Sequence, residues 1–533
     1  MFRTAELGRR VSKEEFEAVA PGLRIEILDL QQRLRAADFP VIIVFGGVDG
    51  AGKNQTINLI NEWMDPRWIV TRAYSAPSDE ERERPEFWRY WRDLPPKGKT
   101  GLFLRSWYSA PVLEHAYGRI SENELTRKLD RIVAFETALA DEGALIIKFW
   151  LHLSRDAQKR QLKKLSKDPD QAWRVSESDW RHFEMYDQFV ASTERTITRT
   201  STGHAPWTIV EGENDRYREL AVLTCIRDAA NRHLQRRELA RQTREQLRHL
   251  APAAPPPPPP PESDDAVTDP AVALPATIRR VQPSILDTLD MGLACTKERA
   301  DAEMPRLTAR LNSLYRRAKE LGISTVVVFE GWDAAGKGGA IRRITGALDA
   351  RDYQVLPIAA PSDEERAQHY LWRFWRHLSR AGRITLFDRS WYGRVLVERV
   401  EGFALEEEWR RGYAEINAFE QQLTEHGVAV VKFWLHITPE EQLARFRQRE
   451  SIAYKRWKLT EEDWRNRHQW EAYESAVNDM IEKTSTGAAP WTLIAANDKR
   501  HARLTVLETL CRRLKTAIAE AEAARPRAKK TKD

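Results

Sequence analysis

Short apolar runs rich in β-branched residues punctuate the second half of the chain. Thr325-Val326-Val327-Val328-Phe329 is one such run, closed by glycine at Gly331. Others fall at Gln354 to Ile358, Arg383 to Phe387, Val428 to Leu435 and Trp491 to Ala495. Runs this short and this apolar predict strands buried on both faces, as in a parallel sheet. Stretches of helical character separate them, starting with Gly339 to Ile344. Alternating strands and helices predict an α/β fold with a parallel sheet covered on both sides. Ligands in such folds bind at the C-terminal ends of the strands. The polar, helix-like stretch from Glu440 to Val477 follows a strand where kinases of this architecture often place a lid.

The same pattern occurs earlier in the chain. A constant shift of 284 positions (Asp49 to Asp333) brings the halves into register from about residue 41 to 215. Gly47-Val48-Asp49-Gly50-Ala51-Gly52-Lys53 aligns with Gly331-Trp332-Asp333-Ala334-Ala335-Gly336-Lys337. Arg105-Ser106-Trp107-Tyr108 aligns with Arg389-Ser390-Trp391-Tyr392, and Lys148-Phe149-Trp150-Leu151-His152 with Lys432-Phe433-Trp434-Leu435-His436. A fixed shift held over such a length is a tandem duplication. Between the copies stand seven consecutive prolines, Pro255 to Pro261, which predict an extended spacer. The expected organisation is a first domain over 1–250, a linker over 251–283, a second domain over 284–520 and a disordered tail over 521–533.

Composition narrows the class. The chain has 533 residues, 42% of them hydrophobic, enough for two real cores. No run approaches the roughly 18 apolar residues of a membrane span. The three cysteines, far apart, offer neither a disulfide framework nor metal spacing. A reducing cytoplasm is the expected location, with no membrane partner. Net charge is +6, with 85 lysines and arginines against 79 acids. Polyanion partners are compatible with that balance, although charge alone does not separate nucleic acid from phosphate chains.

The glycine loop sharpens the picture. Gly331, Ala334, Ala335, Gly336 and Gly338 form a strand–loop–helix turn whose backbone amides are expected to cradle phosphate. Lys337 supplies a mobile charge for a transferring phosphoryl group. The hydroxyl that customarily follows this lysine and holds Mg²⁺ is absent, since Gly338 occupies the position. The metal is therefore expected on Asp333 and Asp388. Asp388 directly follows an apolar strand, and Arg389 beside it can bind phosphate in a forked geometry. Arg342, Arg394 and Arg503 are further phosphate candidates. So are the lid residues Arg445, Arg449, Lys455 and Arg456, of which Arg445, Arg449 and Arg456 fall near one helix face.

The duplication supplies an internal comparison. Leu104 stands in the place of Asp388. Asn58, Leu59, Ala110 and Glu219 replace Arg342, Arg343, Arg394 and Arg503. Gln161, Leu165, Gln171 and Ala172 replace Arg445, Arg449, Lys455 and Arg456. The first copy keeps Asp49 and Lys53 but loses most of the positive charge, and is expected to be inactive.

With those residues in view, the chain resembles the type 2 polyphosphate kinases over roughly 10–245 and 285–520. The resemblance rests on Gly331 to Gly339, on Asp388-Arg389-Ser390-Trp391-Tyr392-Gly393-Arg394 and on the basic lid. The fused two-copy arrangement is similar to the polyphosphate:AMP phosphotransferase subgroup. This implies two tandem P-loop kinase domains of thymidylate-kinase-like, three-layer α/β/α architecture with a helical lid. It also implies Mg²⁺-dependent transfer of a phosphoryl group from inorganic polyphosphate to AMP, with no nucleic-acid partner. In the family the acids matching Asp333 and Asp388 serve the metal and acceptor phosphate, and the lysine matching Lys337 serves the phosphates. Packing of the two copies as a pseudo-dimer, and further self-association of that unit, are expected. An ATP-dependent nucleotide kinase and a non-catalytic polyanion binder are the rival expectations.

Overall fold

The strands expected in the second half form within two residues of their sequence bounds, because each is a run that only a two-sided apolar environment can satisfy. A computed structural model describes residues 1–170, 172–250, 284–451 and 461–524. The first half holds β1 (Val41–Gly47), β2 (Ile69–Ala73), β3 (Thr100–Leu104), β4 (Leu145–His152) and β5 (Trp207–Glu211). Their order is β2-β3-β1-β4-β5. The second half holds β6 (Thr325–Gly331), β7 (Tyr353–Pro357), β8 (Ile384–Asp388), β9 (Ala429–His436) and β10 (Trp491–Ala495), in the matching order β7-β8-β6-β9-β10. Every pairing is parallel, and Phe329 of β6 stands beside Asp388 of β8. Val327, Val328, Phe329, Phe387 and Phe433 are fully buried, as a sheet covered on both faces requires.

The linker expected over 251–283 lies outside the described residues. The last helix, Lys499–Ala524, continues beyond the expected domain end at 520. Among the described residues no helix is long and apolar enough to cross a membrane.

Two features repeated in the sequence turn out to be structural. Lys432 Nζ, fully buried, donates to Glu420 Oε2 (2.7 Å), Tyr392 OH (2.8 Å) and the Thr484 carbonyl (2.8 Å). Trp391 Nε1 and Tyr392 OH both donate to Glu420 Oε1. Lys148, Glu136, Tyr108, Trp107 and Thr200 reproduce the arrangement in the first half. A buried ion pair with its remaining donors and acceptors satisfied is the form in which a charge survives in a core.

The halves also share one apolar core. Trp91 stacks on Trp375, its own counterpart, with ring centroids 5.9 Å apart. Arg84 Nε donates to the Leu378 carbonyl (2.8 Å), and Gln368 Nε2, at the equivalent position, donates to the Leu94 carbonyl (3.2 Å). Such reciprocal contacts are those of an isologous dimer interface, here built within one chain.

Candidate active site

The loop between β6 and the helix Lys337–Thr345 takes its shape from three residues with positive φ: Gly331 (149°), Ala334 (65°) and Gly336 (112°). Gly331 is obligatory, since a Cβ there would lie 2.5 Å from the Leu435 carbonyl oxygen. Ala334 holds a left-handed conformation that costs an L-residue on the order of 1–2 kcal/mol. The turn uses the Ala335 amide internally, donating to the Trp332 carbonyl (3.0 Å). The amides of Gly336, Lys337 and Gly338 find no backbone acceptor among the described residues, so these three open the helix N-terminus toward an anion.

Lys337 Nζ donates to the carbonyls of Gly331 (2.6 Å) and Trp332 (3.2 Å). Asp333 Oδ1 accepts from Arg389 Nη2 (3.0 Å), and Oδ2 accepts from Asn466 Nδ2 (2.9 Å). Burial pushes the Asp333 carboxyl upward, but Lys337, Arg389 and the Asn466 hydrogen bond outweigh it and hold the group below its ordinary range. Asp388 ends β8, and Arg389 follows with φ of 63°, its amide donating to the Phe329 carbonyl (3.0 Å). Four predicted residues, Asp333, Lys337, Asp388 and Arg389, thus belong to one strand-end cluster.

Arg503 lies against Gly339, on the helix that follows the loop. Burial, then repulsion from Arg343, Arg445 and Arg342, depresses its pKa. Arginines crowded together in this way favour an anion between them. Arg449 shares the helix Pro439–Ser451 with Arg445 and adds to its positive surroundings. Lys455 and Arg456 lie outside the described residues.

Two arginines do not serve as expected. Arg445 is buried beneath the loop, where its guanidinium donates to the carbonyls of Ala334, Ala335, Ala496 and Asn497 and to Glu441. Every direction of its fork is used on the protein, so it braces the loop instead of meeting phosphate. In the first half Arg218, reaching from another helix, ties the Gly212 carbonyl and Thr56 beneath the equivalent loop, so the brace survives there without Arg445's counterpart. Arg394 is also buried. It sits among Glu142 (3.6 Å), Glu398 (3.3 Å) and Glu408 (3.8 Å) and over the Tyr370 ring, so its partners are those of the interface between halves.

Sequence reasoning missed three contributors. Glu330, buried at the end of β6, accepts from Ser390 Oγ (2.8 Å), and burial raises its pKa. Its counterpart is Gly46, so the shift that exposed Leu104 also marks an acid present in one copy only. Asn466 is a polar residue in a polar helix, with no pattern to distinguish it. Trp332 stacks on Trp470 at 3.6 Å, joining the loop to the helix Trp470–Thr484, where the first copy has Val48 and Tyr186.

Comparison with known proteins fits this geometry. The chain is 48% identical over 511 residues to a polyphosphate:AMP phosphotransferase of Pseudomonas aeruginosa, covering 96% of this chain and 98% of that one. It is 35% identical to a protein of the same name from Acinetobacter johnsonii, over 89% and 91% of the two chains. A crystal structure described as a polyphosphate kinase 2 from Pseudomonas aeruginosa superposes with a TM-score of 0.83 at 44% identity, over 99% of this chain and all of that one. The family model for polyphosphate kinase 2 matches twice, at residues 10–238 and 294–522, so this chain, with its two tandem domains, belongs to the polyphosphate kinase 2 family.

Proposed function

We propose that the second half transfers the terminal phosphoryl group of inorganic polyphosphate to AMP, giving ADP, and that the first half does not carry this chemistry. The observation that carries the reading is the difference between two equivalent sites. The second half carries Glu330, Asp388, Arg342, Arg343 and Arg503 at the positions where the first half has Gly46, Leu104, Asn58, Leu59 and Glu219. The relatives named polyphosphate:AMP phosphotransferase match along nearly their whole length, which supports the choice of donor and acceptor.

Phosphoryl transfer needs little covalent help from a protein, chiefly position and charge. Lys337 and the amides of Gly336 to Gly338 would hold the transferring phosphate. Arg389 would steady its oxygens while keeping Asp333 ionised. Arg342, Arg343 and Arg503 would take the polyphosphate chain, whose charge density suits a cluster of arginines.

Mg²⁺ fits the donor set. Asp333 has a depressed pKa and a free lone pair on each oxygen, and Asp388 lies at the adjacent strand end. Among the described residues no tighter cluster of acids, histidines or cysteines forms a cage. One or two carboxylates, with water and phosphate completing the shell, is how Mg²⁺ is commonly held. Bound there, it would neutralise phosphate charge. The decisive measurement is ADP formation from AMP and long-chain polyphosphate with Mg²⁺ and no ATP. Turnover is expected. Its absence, with activity appearing only on addition of ATP, would overturn the assigned donor.

A further inference from the structure

The first half keeps a large cavity at its own loop. Its volume is about 980 Å³, the size of a small-molecule site, and it runs from the Gly47–Asn54 loop across to the helix Tyr186–Thr200. At one end the loop is intact. The amides of Gly52, Lys53 and Asn54 have no backbone acceptor among the described residues, and Lys53 Nζ rests on the carbonyls of Gly47 (2.8 Å) and Val48 (2.9 Å). Arg105 lines the same end with a left-handed backbone (φ of 52°) and makes no hydrogen bond or ion pair among the described residues. Its counterpart Arg389 is engaged with Asp333. Asp49 is occupied by His182 Nδ1 (2.7 Å) and faces Lys53 (3.8 Å).

The rest of the cavity is different in kind. Leu104, Val112, Leu113 and Phe189 give it apolar walls. Thr193, 1% exposed, lines it with a hydroxyl that has no partner. A polyphosphate chain would meet hydrocarbon along these walls, with Arg174 nearby but without the counterparts of Arg342, Arg343 and Arg503. A metal would find neither Glu330 nor Asp388.

We propose that the first half is a second, non-catalytic binding site, which takes a nucleoside monophosphate without a divalent cation. The phosphate sits on the loop amides between Lys53 and Arg105. The sugar and base occupy the apolar space, where aromatic and aliphatic side chains favour a flat ring over a second phosphate. The proposal does not depend on which acceptor the second half uses.

The test uses the full chain with Lys337→Ala and Asp388→Ala, which disables the other loop, in equilibrium dialysis with AMP and excess EDTA. One AMP per chain is expected. Adding Arg105→Ala should weaken it about tenfold or more, the size of one lost charge-assisted hydrogen bond. Leu113→Trp, which fills the cavity and leaves the loop intact, should weaken it comparably, so the result does not hang on one variant's folding. Tripolyphosphate at equal concentration should fail to displace AMP. No AMP bound at millimolar concentration would overturn the proposal. So would binding indifferent to both Arg105→Ala and Leu113→Trp, or displacement by tripolyphosphate as effective as by AMP itself.

Discussion

At the scale of single residues, charge and function separate. Asp388 and Arg445 both look like site residues from their pattern, and only one has a side chain available to a ligand. Asp388→Ala is expected to lower turnover on the order of 100- to 1000-fold, as loss of a preorganised charge at a reacting phosphate does. Steady-state rates with AMP and polyphosphate check it, and near-normal turnover would remove Asp388 from the metal site. Arg445→Ala should behave differently, because it strands four carbonyls and Glu441. A loss of about 2–4 kcal/mol is expected, read as a lowered thermal midpoint of the second half. Gln161→Ala, at the equivalent place, should fall within about 0.5 kcal/mol of the parent. If Arg445→Ala left the midpoint unchanged and raised KM for polyphosphate, Arg445 would be a ligand contact after all. The sequence made Asp333, Lys337 and Asp388 legible because a loop and a strand end fix their surroundings. It could not rank the arginines, since a basic residue on a helix carries no mark of which way it turns. Glu330 was hidden inside a strand, where only the comparison with Gly46 betrays it.

At the scale of elements, the apolar runs left little freedom, and the strands of the second half were legible to within two residues, whereas the helices were legible only as stretches between them. The motifs between them were harder to apportion. Trp391-Tyr392 and Lys432 belong to repeated stretches beside the chemistry, yet they form a buried network that both halves keep. Its equal presence in the half without the second acid assigns it to the fold. Burial pushes the Lys432 ammonium down and the Glu420 carboxyl up, each drawn back by the other. Lys432→Met is therefore expected to cost about 3–5 kcal/mol, as removal of one partner from a buried pair does. Lys432→Met with Glu420→Gln should recover most of that loss, because the amide oxygen still accepts from Trp391 and Tyr392 while the unpaired charge is gone. Thermal unfolding of both variants decides it, and a double variant no better than the single one would place the stabilisation in geometry instead of charge.

At the scale of the molecule, the two halves obey their approximate two-fold in packing and break it in charge. Trp91 meets Trp375 as symmetry demands, but the polar cluster beside them occurs once. Arg411 is shared between Glu142 of the first half and Glu415 of the second, with His369, Tyr370 and Arg394 around them. The equivalents of Glu415, Arg411 and His369 are Arg131, Arg127 and Pro85, which could not form it again. Burial dominates here. It depresses His369 to about 4, and it raises Glu415 to about 7 against the pull of Arg411. Glu142, facing His369, Arg394 and Arg411, is instead held below the usual range despite its burial. An acid whose pKa rises on folding keeps its proton in the folded state where the unfolded chain has lost it. Stability from this group is therefore full below the ordinary pKa near 4.5, falls as pH climbs through about 7, and is level above. Glu415→Gln copies the protonated form and escapes that loss. The variant and parent should melt together at pH 4. At pH 8 the variant should be the more stable, by up to about 3 kcal/mol at 1.4 kcal/mol per pKa unit. Thermal midpoints at the two pH values measure the difference. A variant weaker than the parent at pH 8 would mean that the Glu415 pKa is not raised on folding and that its pairing with Arg411 helps to hold the two halves together.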